Sequence, residues 1–426
     1  MTDGVVREKG KVRLIFAATI GNAFEFYDFT LYSFFVVTIG KLFFPSSDPW
    51  MQIVLALATY GVGFLARPLG GLILGSYGDR AGRKSAMTLT LFLMAAGTLM
   101  IGLAPSYAQI GWVGPVILVL GRMLQGFSAG GEVGASTSLL AEYATSERRG
   151  YFGSWQIASQ GLGIVFASLS AIAVYSLLPE PSVEAWGWRV PFLIGALILP
   201  IGIMLRRKLE ETYVSSKDSP TTAMETITHV FRGHWRSLLT GFLVIAGGTA
   251  ANTIVAFYLS THAIRVLKMP PAVALLAGLA AGLVAFLTGP LFGTLSDRIG
   301  RKPLMFAGMS LMILAIYPAF LIINAYPTLP VLLGVVIIIN IFNVMANATG
   351  ITALAEHFPT PVRSTCLSLV YAAGVTVFGG FGQFIAAWLT GVTGSATAPA
   401  LYVIAMGLIS LIGIRSLHER AGKALT

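Results

Sequence analysis

Three runs, Met51 to Leu74, Leu238 to Tyr258 and Leu332 to Ile351, each stay apolar for the ~20 residues that carry a helix across a hydrocarbon core about 30 Å thick. Lipid offers no partner to backbone N–H and C=O groups, so such segments fold as helices that satisfy their own hydrogen bonds. Composition extends the point to the whole chain. Charged residues make up 11 % and hydrophobic residues 55 %, where a soluble domain carries roughly 25 % charge, and mean hydropathy is +0.78. The expectation is an all-α membrane protein with twelve transmembrane helices. They are placed at 14–40, 52–78, 85–104, 113–142, 151–177, 189–205, 237–264, 273–296, 303–324, 330–356, 364–390 and 399–415, called spans one to twelve below.

A net charge of +10 raises nucleic acid as a partner, but the basic residues follow membrane topology instead. Of the 28 Lys and Arg, all but six fall before span one, in the loops on that same side and after span twelve. Lys41, Arg189, Arg265 and Lys268 lie opposite, and Arg67 and Arg122 lie within spans. The positive-inside rule then places both termini and the central loop in the cytoplasm. The N-terminal Met-Thr-Asp-Gly and the basic run after it give no expectation of a cleaved leader. The one cysteine, Cys366, is expected to be a buried structural thiol.

The chain repeats itself. Gly75-Ser-Tyr-Gly-Asp79-Arg80-Ala-Gly82-Arg83-Lys84 follows span two, and Gly293-Thr-Leu-Ser-Asp297-Arg298-Ile-Gly300-Arg301-Lys302 follows span eight. Ala141-Glu142 precedes Arg149 with the same spacing by which Ala355-Glu356 precedes Arg363. Two repeats at nearly one offset indicate a duplication, an arrangement found among transporters. The expected organisation is a six-helix half over 1–205, a linker over 206–236 and a second half over 237–426. Asp79, Arg83, Asp297, Arg301, Glu142, Arg149, Glu356 and Arg363 are the expected gate, the aspartates accepting from a helix N-terminus or pairing with arginine. The alternative is a plain anchor of basic charge.

The twice-present Gly-x-x-x-Asp-Arg-x-Gly-Arg-Lys resembles the signature loop of the major facilitator superfamily, over essentially the whole chain. Gly21-Asn22, Glu25 and Asp28-Phe29 in span one, Arg67-Pro68-Leu-Gly70 in span two, Gly121-Arg122 with Gln125-Gly-Phe-Ser128 in span four, and Arg207-Lys-Leu-Glu-Glu-Thr212 are similar to its metabolite:proton symporters. Leu124–Gly130, Ser154-Trp-Gln156 with Ser159-Gln160, Trp186–Arg189 and Phe378-Gly-Gly380 resemble citrate and tricarballylate carriers. In the tenth span those carriers have Tyr-Asn where this chain has Ala346-Asn347. The resemblance implies a bacterial inner-membrane symporter that works as a monomer, without cofactor or metal.

Charge inside the membrane costs at least ~2.5–3.5 kcal/mol per residue, so each case invites a function. Glu25 and Asp28, three residues apart, lie about 60° apart around one helix and share a face. They are candidate proton-coupling groups, with Glu132 as the third; the alternative is an ion pair with Arg122. Arg122 is the first candidate to hold a substrate carboxylate in a bidentate fork and Arg67 the second, unless Arg67 only caps a carbonyl beside Pro68. Neutral polar stripes complete a candidate binding site, Gln156 and Gln160 on span five, Asn252 with Thr249 on span seven, and Asn340, Asn343 and Asn347 on span ten, and Asn22, Gln125 and Tyr258 join the candidate binding residues. Such amides also serve as glue between helices. His262 is expected at the outer rim without a role.

Two classes of function remain. The first is proton-coupled import of a small organic polyanion, such as citrate or tricarballylate, by alternating access. The second is proton symport of another metabolite: a zwitterionic osmolyte, a 2-oxo acid or shikimate. An enzyme is not expected, since five histidines scattered at 229, 234, 262, 357 and 418 form no metal or nucleophile cluster.

Overall fold

The computed structural model describes residues 2–81, 83–196, 223–359 and 363–425. Among these the regular structure is helical and no strand occurs. Among the described residues nine helices are long and apolar enough to cross a membrane, and they coincide with spans two, four, five and seven to twelve. Span one is a bent pair, Thr19–Phe34 and Val36–Phe43, meeting at 60°. Span three is the shorter apolar stretch Thr88–Leu103. Span six starts at Arg189 and is described to Ala196, its expected remainder lying outside the described residues. The outward face is apolar, as lipid requires: Leu287 and Leu291 of span eight are 61 % and 66 % exposed.

The expected linker 206–236 falls only partly within the described residues. Residues 206–222, including the Arg207–Thr212 motif, lie outside the described residues, but from Ala223 the chain is helical to Asn252, breaking locally at His234 (φ −129°, ψ 20°). Cys366 is free and fully buried, an inert packing position.

Glycines set how closely the helices approach. In spans two and four a Cβ added to Gly70 would overlap the carbonyl oxygen of Phe127, one on Gly126 that of Gly63, and one on Gly130 that of Arg67. Such backbone-to-backbone contact is how helices gain packing energy where lipid supplies no hydrophobic drive. It also brings the helices that bear Arg67 and Arg122 face to face. Spans five and eight meet likewise across the halves, where a Cβ on Gly161 would sit 2.6 Å from the Gly282 oxygen.

Besides the bend in span one, spans two, four, seven and eleven are irregular among the described residues. Span two breaks at Ala66, between Pro49–Leu65 and Arg67–Ala81. Span four breaks at Gly130-Gly131, between Val113–Ala129 and Glu132–Tyr143. Spans seven and eleven each contain a π-helical turn, Thr253–Tyr258 and Val375–Gly380. Irregular backbone at this depth is tolerated where protein or a cavity surrounds it, and π turns concentrate at functional sites.

Candidate functional site

A cavity of about 90 Å³ lies between the two sets of six spans, room for roughly three water molecules at the ~30 Å³ each takes in the liquid. Of the residues expected to bind substrate, Arg67, Gln160, Asn252, Asn343 and Asn347 line it. So do Thr249 and a set of rings: Phe26, Phe29, Tyr60, Phe64, Phe257 and Tyr371. Behind span one is a second cavity of about 20 Å³, lined by Glu25, Asp28 and Glu132 with Thr90, Ser128 and Gly195. All three expected proton-coupling carboxylates therefore share one small space, separate from the larger one.

Arg67 joins the two. Its Nη2 donates to Glu25 Oε1 at 2.6 Å, while the residue also lines the large cavity. Both side chains are buried, at 2 % and 1 % exposure, so each needs the other: removing one partner of a buried pair costs about 3–5 kcal/mol. The pair is incompletely satisfied, since Arg67 Nε and Glu25 Oε2 have no hydrogen-bond partner. The guanidinium also lies over the rings of Phe29 and Phe64, 4.7 and 4.5 Å from their centroids.

Arg122, placed first as the substrate ligand, does not reach the cavity. It is fully buried, with Phe29, Tyr32 and Tyr60 at 4.6 to 4.8 Å from its guanidinium carbon. It donates to Gln125 Oε1 at 2.8 Å and to the Tyr60 carbonyl at 3.5 Å. The ion pair of a span-one carboxylate with Arg122 is likewise replaced: Glu25 takes Arg67, and Asp28 accepts from Thr98 Oγ1 at 2.5 Å. The remaining residues expected at the cavity also stand behind it. Asn22 donates to the Gln156 carbonyl and to Ser159 Oγ at 2.9 and 2.8 Å, tying span one to span five. Gln125 serves Arg122 and Thr98, Gln156 accepts from Ser136, and Tyr258 is buried with an unpartnered hydroxyl. His262 is no rim residue, being 1 % exposed and bonded through Nε2 to Asn324.

The last six spans contribute a neutral wall. Asn347 Nδ2 donates to Asn343 Oδ1 (2.8 Å), Asn343 Nδ2 to Asn340 Oδ1 (3.4 Å), and Asn340 Nδ2 to the Ala281 carbonyl (2.7 Å). Main-chain carbonyls only accept, so Ala281 at one end and Gly248, which accepts from Asn347 at 3.1 Å, fix the direction of the ladder. Its donors point into the protein, and Asn347 Oδ1 is left as an acceptor. Gln160 of span five reaches across to Tyr371 Oη of span eleven at 3.2 Å.

The basic ends close over this core. Asp297 accepts from the N–H groups of Gly150 and Tyr151, at 2.8 and 2.9 Å, where the helix of span five begins, and it pairs with Arg301 at 2.8 Å. Arg301 also binds Glu356 at 3.1 Å, and Arg149 approaches that carboxylate at 3.7 Å. Arg363 pairs with Glu142 at 3.2 Å and donates to the Ala355 carbonyl at 2.7 Å. Gly300 takes φ +100°, the reversal for which this loop needs glycine. The side chains of Asp79 and Arg83, the equivalents in the first half, lie outside the described residues. The tail joins in: Arg149 Nη1 donates to the Lys423 carbonyl at 2.7 Å, and Glu419 accepts from the N–H of Lys302 at 2.8 Å. Burial alone would raise the Glu419 carboxyl, but the N–H groups of Lys302 and Ala421 hold it below the usual carboxylate range. At the other end Ser33 donates to Gln383 and Thr376 to the Phe64 carbonyl, both at 2.8 Å, so the halves touch on both sides of the cavity.

Comparison with known proteins decides the family. The profile of the family described as "Sugar (and other) transporter" matches residues 14–234, and that of the "Major Facilitator Superfamily" matches residues 273–424. The chain belongs to the major facilitator superfamily. The citrate-proton symporter of Klebsiella pneumoniae is 35 % identical over 97 % of this chain and 94 % of that protein. The proline/betaine transporter of Salmonella typhimurium is 33 % identical over 99 % and 87 %. Among solved structures, a D-xylose-proton symporter superposes with a TM-score of 0.78 at 18 % identity, covering 97 % of this chain and 99 % of that one. This major facilitator protein is thus a multi-pass, proton-coupled symporter of a small solute and not an enzyme.

Proposed function

We propose that the chain imports a small organic polyanion of the citrate or tricarballylate type together with protons, holding one substrate carboxylate on Arg67. The observation that carries this reading is the position of Arg67: it lines the solute cavity and at the same time neutralises Glu25. A substrate carboxylate on the unfilled edge of the fork competes with Glu25 for the guanidinium. Released from its partner, a buried carboxylate holds a proton instead of a charge, so binding of anion and proton reinforce each other. The remaining carboxylates of the substrate would meet the Asn252 amide, Thr249 and Tyr371. Arg122, behind the Phe29 and Tyr60 rings, supplies positive potential without contact. The relatives that carry citrate support the same choice.

One observation favours the second reading. Six aromatic rings and the Asn347 Oδ1 acceptor line the cavity, and rings and carbonyl oxygens suit a cationic group. A zwitterion would then put its carboxylate on Arg67 and its ammonium opposite, in keeping with the proline/betaine relatives. Uptake into proteoliposomes with an inward proton gradient separates the two, using labelled citrate, tricarballylate, 2-oxoglutarate and betaine. Accumulation of tri- or dicarboxylates is the expected result; accumulation of betaine alone would replace the polyanion by the zwitterion.

By the distribution of basic residues we place both termini and the Asp297–Arg301 gate on the cytoplasmic side of a bacterial inner membrane. The protein then acts as a monomer, opening alternately to either side of the cavity between residues 1–205 and 237–426.

A further inference from the structure

Thr98, on span three, is not among the residues that the sequence singles out. It is fully buried, and so is Gln125. Arg122 donates to Gln125 Oε1 at 2.8 Å, and Gln125 Nε2 lies 2.9 Å from Thr98 Oγ1. Arginine only donates, so the orientation of the Gln125 amide is fixed and its NH₂ must donate to the threonine oxygen. The hydroxyl keeps one hydrogen for two acceptors: Asp28 Oδ2 at 2.5 Å and the Met94 carbonyl at 2.9 Å. Asp28 Oδ1, beside Gly195, has no hydrogen-bond partner.

We infer that Thr98 is a positioning residue for proton coupling, a one-hydrogen switch that fits Asp28 in either protonation state. With Asp28 ionised, Thr98 donates to Oδ2. With Asp28 protonated, the proton sits on Oδ2, because Oδ1 faces no acceptor; Oδ2–H donates to Thr98 Oγ1 and the threonine hydrogen turns to the Met94 carbonyl. On release the proton passes to water in the small cavity that Asp28 shares with Glu25 and Glu132, and the hydroxyl turns back. No heavy atom moves, and the Gln125 donor is satisfied throughout. The groups facing Asp28 are Glu25 and Tyr27 on its own helix, Arg122 and Glu132 on span four and, through Glu25, Arg67 on span two. Spans three and six present no other titratable side chain to it among the described residues. This role rests on the proton-symport reading.

The test uses the full chain in proteoliposomes, with whichever of citrate, tricarballylate, 2-oxoglutarate and betaine the wild type accumulates. Thr98→Val keeps the shape and loses the hydroxyl. The ionised carboxylate loses a charge-assisted hydrogen bond and the protonated one a weaker neutral bond. The pH profile of driven uptake is therefore expected to move alkaline by about half to one unit. Accumulation is expected to drop about tenfold, while counterflow exchange stays within about twofold. Thr98→Ser, which restores the hydroxyl, is expected to restore the profile. A Thr98→Val protein with the wild-type profile overturns the role of Thr98 and leaves symport standing; wild-type uptake that does not respond to the proton gradient overturns both. Should Thr98→Val not fold, the infrared carbonyl band that titrates in wild type and vanishes in Asp28→Asn provides the reading. A frequency typical of a hydrogen-bonded carboxyl is expected, and that of a free carboxyl refutes the switch.

Discussion

The first six spans and the last six face one cavity with opposite chemistry. On the first side stand two buried arginines, two buried carboxylates of span one and Glu132, linked through Arg67–Glu25 and through Arg122, Gln125, Thr98 and Asp28. The other side offers an asparagine ladder, Asn252, Thr249 and two π-helical turns, with no charge on the cavity wall among the described residues. At the basic ends the weighting reverses, and the described latch is built on Asp297, Arg301 and Glu356 of the second side. In the proposed reading the two sets of spans divide the labour. The first handles charge, whereas the second supplies shape, hydrogen-bonding oxygen and closure.

This division can be broken most severely at Arg67. Arg67→Ala is expected to abolish both accumulation and counterflow and to cost about 3–5 kcal/mol of stability, because Glu25 is left buried and unpaired. Adding Glu25→Gln should recover thermal stability but not transport; recovered transport would mean that Arg67 is a structural partner only. The carboxylates come next. Asp28→Asn and Glu25→Gln should each lose gradient-driven accumulation while keeping counterflow exchange. If accumulation survives in both, coupling moves to Glu132.

On the closing side, Asp297→Asn weakens a contact to two helix N-terminal N–H groups and a buried ion pair. Thiol labelling of Tyr151→Cys, in a Cys366→Ala background, should speed up about tenfold, and equal labelling rates would show that the latch holds without Asp297. The smallest effect is expected from the neutral wall. Asn252→Ala should raise the substrate KM about two- to fivefold, the equivalent of about 0.5–1 kcal/mol for one hydrogen bond, with proton coupling unchanged. An altered coupling ratio in Asn252→Ala would erase the distinction between the halves.

Much of this was legible in the residues. Run lengths and the basic loops placed the helices, and Asp297 meets a helix N-terminus and Arg301 as its spacing implied. Depth along a helix can be counted, but azimuth within a bundle cannot. Arg67 lines the cavity and Arg122 lies behind it, and nothing in their spacing shows that Phe29, Tyr32 and Tyr60 close around Arg122. The period of Asn340, Asn343 and Asn347 revealed a stripe but not its polarity, which two main-chain carbonyls determine. Thr98 and Tyr371 gave no signal, because single hydroxyls in apolar helices usually bond their own backbone.

The tail has a practical side. Lys423 lends its carbonyl to Arg149, and Glu419 grips the start of span nine. A purification handle or fluorescent reporter appended after Thr426 would hang a few residues from that contact. Closure should therefore be compared with and without such an addition before it is used as a reporter.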